Sequence, residues 1–246
     1  MKAHRALLFV LGGWYGVLWL GGVITYLALD RPPPHVAWAA PVFLLSAAVL
    51  VLITARPGTA ILLALCGALG WGVEVLGVKT GLPFGGYTYT DVLGPGSFGV
   101  PFAMAAAWVL LVAYGHYIGS ACGMRGAILV LGGAAWMVGM DTVIDPLAGG
   151  VLDYWTWAGS GVYYGIPAGN FLGWFVVSAG LMILLLPVRT VPRFHGAVGL
   201  SLLLFFTILS ATRGMVLSTL AGLVLLATHI AIEVRKSRRV RRGDGR

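Results

Sequence analysis

Long apolar runs, broken by short polar or proline-rich segments, set the pattern of this chain. A membrane-spanning helix needs about 20 mostly apolar residues. Eight runs fit that requirement: 6–29, 36–55, 58–78, 98–118, 126–146, 166–187, 195–211 and 214–233. Proline-rich segments at 31–34, 56–57 and 189–192 punctuate them, and a tight turn around Arg213 parts the last two. The pattern predicts an all-α fold, a polytopic transmembrane bundle of about eight spans. It forms a single helical domain over 1–234, followed by a basic tail at 235–246. The first run is too long for a signal-peptide core and no small-residue cleavage site follows it, so it reads as a retained helix.

Charge supplies the orientation. With the N-terminus inside, the cytoplasmic segments hold Lys2, Arg5, Arg56, Arg125, Arg189 and Arg193. They also hold the tail's Arg235, Lys236, Arg238, Arg239, Arg241, Arg242 and Arg246. Only Arg31, Lys79 and Arg213 fall on the other side. The positive-inside rule then predicts a multi-pass protein of the cytoplasmic membrane with both termini cytoplasmic. The acids run the other way: Asp30, Glu74, Asp91, Asp141, Asp145 and Asp153 lie toward the outer side, and only Glu233 and Asp244 lie inside.

Composition agrees with a bilayer, being 59% hydrophobic and 10% charged, against about 25% charged in soluble domains. The net charge of +8 comes largely from the tail, which reads as an anionic-lipid contact. No basic patch with interleaved aromatics lies outside the membrane, so no nucleic-acid partner is expected.

The segments 79–97 and 147–165 are rich in glycine and aromatic residues and are expected to fold back into the bundle mouth, although an interfacial aromatic belt would look similar. Gly99-Val100-Pro101 precedes Trp108 just as Gly165-Ile166-Pro167 precedes Trp174, an offset of 66 residues. Glu74 and Asp141 are 67 apart, each late in the helix before an aromatic segment. The spacing points to a tandem two-helix repeat in helices three to six, its units parallel about an axis along the membrane normal.

An ionisable group inside a span is costly and therefore a functional candidate. Glu74, Asp141 and Asp145 qualify. The two aspartates lie four residues apart, on one helix face. Asn170, early in the sixth span, sits at a comparable depth. Asp145 precedes Pro146 and is also a candidate helix terminus. A carboxyl removed from water and crowded by another holds its proton more tightly. A neutral acid can then donate that proton, and a neighbouring carboxylate can take one from water. Aromatic faces stabilise cations. These parts suit acid-catalysed chemistry on an apolar alkene arriving from the lipid.

The histidines, His4, His35, His116, His195 and His229, are scattered and lack the spacing of a di-iron centre. No dinucleotide fingerprint is present. Cys66 and Cys122 are not placed to pair. Neither metal nor cofactor is expected, and an added oxygen would come from water.

At these residues the sequence resembles the membrane carotenoid 1,2-hydratases, the family acting on gamma-carotene and on the bacterioruberin precursor. The resembling stretches are 70–89 (GWGVEVLGVKTGLPFGGYTY), 99–108 (GVPFAMAAAW), 141–146 (DTVIDP) and 155–174 (WTWAGSGVYYGIPAGNFLGW). The resemblance implies a cofactor-independent hydro-lyase of carotenoid biosynthesis. It would take an acyclic carotenoid from the lipid phase and add water across the terminal C1–C2 double bond, giving a tertiary alcohol.

In our reading Glu74 or Asp141 is the general acid, and its partner or Asp145 deprotonates the water. Tyr87, Tyr89, Trp155, Trp157, Tyr163 and Tyr164 are candidates to line the end-group pocket, and Asn170 is a candidate to position water. A carotenoid cyclase begins with the same protonation and remains an alternative. A membrane prenyltransferase is disfavoured, because Asp141 and Asp145 form only half of a paired diphosphate-binding motif. A proton-coupled carrier would need a polar path through the cytoplasmic halves of helices three and five, which are nearly devoid of polar side chains.

Overall fold

The computed structural model describes residues 2–29 and 32–241. Eight helices account for most of them: α1 Lys2–Ala28, α2 Ala39–Thr54, α3 Pro57–Thr80, α4 Ala103–Ala121, α5 Gly126–Gly150, α6 Ala168–Leu184, α7 Arg193–Thr212 and α8 Val216–Arg241. The fold is an all-α polytopic membrane bundle, and among the described residues seven spans are long and apolar enough to cross a membrane, α2 only together with the turn that precedes it, as Pro34–Thr54. The exception is α6. Its 17 residues rise about 25 Å, short of the roughly 30 Å hydrocarbon core. Asp30, Arg31, Arg242, Asp244 and Arg246, counted above for charge asymmetry, lie outside the described residues. From Arg235 to Arg241 the basic stretch continues α8.

Local chemistry sets the helix ends. Pro57 opens α3, where a missing N–H costs nothing, and Gly81 closes it with a left-handed φ of 74°. The fourth helix starts later than its apolar run, because 96–101 form a hairpin between two short strands, β2 (Gly96–Ser97) and β3 (Val100–Pro101). The fifth helix passes through Pro146 and ends at Gly150 rather than stopping at the proline. Pro146 cannot donate to the carbonyl one turn back, that of Thr142. The Tyr163 hydroxyl donates to that carbonyl instead, at 2.7 Å.

The connections after α1, α3, α5 and α7 gather at one end. Arg213, after α7, donates to the Tyr26 and Leu29 carbonyls at 3.0 Å each. Thr90 N–H donates to the Tyr154 carbonyl at 3.0 Å. Two further strands, β1 (Tyr87–Tyr89) and β4 (Trp155–Trp157), pair antiparallel across these connections, with Thr88 opposite Thr156.

The repeat is present in the backbone. Phe98-Gly99 has φ values of 53° and 81°, and Tyr164-Gly165 has 50° and 82°. Each pair is the centre of a two-residue turn, closed by Ser97 with Val100 in one case and by Tyr163 with Ile166 in the other. Two successive positive φ values are the mark of a type I′ turn, and positive φ is rare for phenylalanine and tyrosine. After the turns, Trp108 and Trp174 stack with centroids 4.3 Å apart at 17°. The unit α3–β1–turn–α4 thus recurs as α5–β4–turn–α6. The two units meet at the Thr88–Thr156 strand pair and at the stacked indoles.

Candidate active site

Side chains alternate across a strand, so Tyr87 and Tyr89 share one face, as do Trp155 and Trp157. Across the antiparallel pair the four rings make a roof: Tyr87 lies 5.3 Å from Trp157, and Tyr89 lies 5.8 Å from Trp155, centroid to centroid. The polar edges of three of these rings reach carboxyls. Both tyrosine hydroxyls donate to Glu74 Oε2, Tyr89 at 2.9 Å and Tyr87 closer still. Trp155 Nε1 donates to Asp145 Oδ1 at 2.9 Å. The Trp157 indole N–H is buried and also turned toward Asp145, outside full hydrogen-bond geometry.

Helices following the strands complete each acid's surroundings. Trp108 Nε1, from α4, donates to Glu74 Oε1 at 3.0 Å. Asn170, from α6, donates its amide to Asp141 Oδ2 and to Asp145 Oδ2, at 2.8 Å each. All four polar residues, Glu74, Asp141, Asp145 and Asn170, are buried. The donors to the three carboxyls are neutral tyrosine, tryptophan and asparagine groups. Burial, and next the Glu74 carboxyl, push the loop phenols Tyr87 and Tyr89 above their ordinary value, so both remain donors. Two glycines permit the close approach: a Cβ on Gly70 would fall 2.3 Å from the Trp108 ring, and one on Gly77 2.7 Å from the Tyr87 hydroxyl.

Tallying the carboxyl oxygens separates the three acids. Both oxygens of Glu74 and both of Asp145 accept hydrogen bonds. Asp141 Oδ1 accepts none among the described residues, and Asp141 lies on the wall of an apolar cavity of about 440 Å³. Tyr154, Trp155 and Trp174 also line the cavity, together with α1, α2, α4, α7 and the connections at 32–38, 92–93 and 151–153. Among the described residues, no group of three or more His, Cys, Asp or Glu is arranged to hold a metal ion.

The structure thus brings Glu74, Asp141, Asp145, Asn170, Tyr87, Tyr89, Trp155 and Trp157 together. Of the expected pocket aromatics, Trp155 lines the cavity, whereas Tyr87 and Tyr89 point at Glu74. Tyr163 and Tyr164 serve backbone groups: Tyr163 the Thr142 carbonyl, and Tyr164 the Leu217 N–H at the start of α8. Sequence reasoning missed Trp108 and Trp174 as site residues, although the Gly-x-Pro…Trp recurrence had marked both. It missed Tyr26 and Tyr154 as well; these interact with each other and line the cavity.

A family model described as "Carotenoid biosynthesis protein" matches residues 36–229. A bisanhydrobacterioruberin hydratase from Haloarcula japonica is 33% identical over 120 residues, which is 47% of this chain and 40% of that relative. No solved structure matches the chain.

Proposed function

Because the chain belongs to the carotenoid biosynthesis protein family, we propose that it hydrates the terminal C1–C2 double bond of an acyclic carotenoid end group to give a tertiary alcohol. The observation that carries this reading is Asp141 on the wall of an apolar, aromatic-lined cavity, with an Oδ1 that accepts no hydrogen bond among the described residues. The hydratase name of the Haloarcula relative supports the same reaction.

In this reading protonated Asp141 delivers its proton to C2, which leaves the positive charge on tertiary C1. Trp155 and Trp174 line the cavity, where their rings stabilise that charge. Water forms the new C–O bond at C1, and the proton it sheds returns to the Asp141–Asp145 pair, which Asn170 ties together. Alkene and water are consumed, the acid is restored, and no electrons change hands. Glu74, held by Tyr87, Tyr89 and Trp108, fixes the roof over the site. The protein sits in the cytoplasmic membrane with both termini inside and the acids toward the outer face, and takes its substrate from the lipid.

Expression in a lycopene-producing host tests the reaction class. Hydration adds the mass of one water per reacted end. A pigment of altered absorbance and unchanged mass would indicate cyclisation instead, and unchanged lycopene would refute both.

A further inference from the structure

The cavity that reaches Asp141 is built largely by helices outside the repeated unit. Its wall on α1 is the stripe Val17, Leu18, Gly21, Gly22, Thr25 and Tyr26. Nine helical steps make that stripe about 13 Å long, so the cavity follows α1 for more than two turns as a slot along that helix. Opposite it stand Phe43 of α2, Phe205 of α7 and Ala107 of α4. Gly22 already closes on Phe205, where a Cβ would lie 3.0 Å from the ring. At Gly21 nothing lies within 4 Å of a Cβ, so the slot is open there. The first helix also lies ahead of the residues matched by the family model, 36–229.

We infer that this slot is the binding site for the linear isoprenoid end of a polyene, with α1 as its specificity wall and Asp141 at its tip. The inference rests on the hydration proposed above. A volume of about 440 Å³ falls within the usual range for small-molecule sites, roughly 300–1,000 Å³, and suits part of a long hydrocarbon whose remainder stays in lipid. Aromatic walls with glycine and alanine gaps fit a narrow isoprenoid chain, the gaps taking its methyl branches. Asp141 and the loop residue Asp153 are the acids on the wall, and Asp141 is the buried one.

The test uses full-length protein in detergent, titrated with lycopene and read by energy transfer from tryptophan to the polyene. The same variants are scored for hydrated pigment in lycopene-producing cells. Gly21→Phe and Ala107→Leu fill the slot. Gly16→Phe is the control, since its surroundings on α1 are equally open but it does not line the cavity. The two slot variants are expected to weaken lycopene binding and hydration by on the order of tenfold or more, with an unfolding midpoint like that of Gly16→Phe, which changes neither. Lycopene binding that is equal in all three variants, or absent from the wild type, overturns the slot even where the wild type hydrates. Binding lost only in the slot variants, with no hydrated product from the wild type, upholds the slot and overturns the reaction.

Discussion

Glu74 and Asp141 occupy equivalent points of two consecutive helix–strand–helix units, yet among the described residues only Asp141 of the two retains a carboxyl oxygen without a hydrogen bond. The asymmetry arises in the strands. The first unit places tyrosines over its acid, whereas the second places tryptophans, one of which reaches Asp145 rather than Asp141. Equivalent residues have therefore taken different tasks, Glu74 in holding the roof and Asp141 in facing the cavity.

Glu74→Gln is expected to abolish hydration and also to lower stability. An amide must present an NH2 either to Trp108 Nε1 or to the two phenols, and one buried donor loses its acceptor, at about 1–3 kcal/mol. A lowered unfolding midpoint together with loss of hydrated pigment checks this. A midpoint equal to wild type would place Glu74 in the chemistry alone.

Asn170→Ala removes the amide that bridges Asp141 and Asp145. Hydration should fall by more than tenfold, and stability by about 1–3 kcal/mol, because two buried acceptors lose their donor. Asn170→Gln should not restore activity, since the longer side chain cannot keep both contacts. Full activity in Asn170→Ala would contradict the bridge.

How much of this was legible in the sequence depended on chemistry more than on pattern. Glu74, Asp141 and Asp145 declared themselves because a carboxyl in an apolar run is costly wherever the helix packs. The roof aromatics were visible as glycine-rich aromatic segments, but three-residue strands leave no periodicity to read. Pro146 favoured a helix end because its remedy, Tyr163, lies in another element. The slot on α1, α2 and α7 was hidden for a simpler reason. In an apolar helix, residues facing lipid, a neighbouring helix or a cavity look alike, and only packing tells them apart.

Tyr163→Phe leaves the Thr142 carbonyl without the donor that replaces the missing Pro146 N–H. The expected cost is about 1 kcal/mol or more, with hydration largely kept. Burial, and next the neighbouring Tyr164, push the Tyr163 phenol up to about 12. A phenol raised on folding contributes stability that is present below its unfolded value near 10 and lost as pH climbs toward the folded value. The drop in unfolding midpoint between those limits should therefore be smaller in Tyr163→Phe than in wild type.

Gly70→Ala drives a methyl into the Trp108 ring, displacing the indole that bonds Glu74 and stacks on Trp174. Overpacking of this kind costs about 1–3 kcal/mol, and hydration should fall with it. Gly72→Ala, where nothing lies within 4 Å, should be silent in both pigment yield and unfolding midpoint.

In the proposed reaction Asp141 is the source of the proton placed on C2. The most direct measurement is tertiary alcohol formed from lycopene by wild-type and Asp141→Asn membranes in heavy water, with carbon-bound deuterium read by mass spectrometry after exchangeable positions are washed back. Wild type should yield alcohol carrying one deuterium at C2 for each hydrated end, and Asp141→Asn should fold normally but form it roughly 100- to 10,000-fold more slowly. Wild-type rates from Asp141→Asn, or alcohol from wild type without deuterium on carbon, would contradict that role.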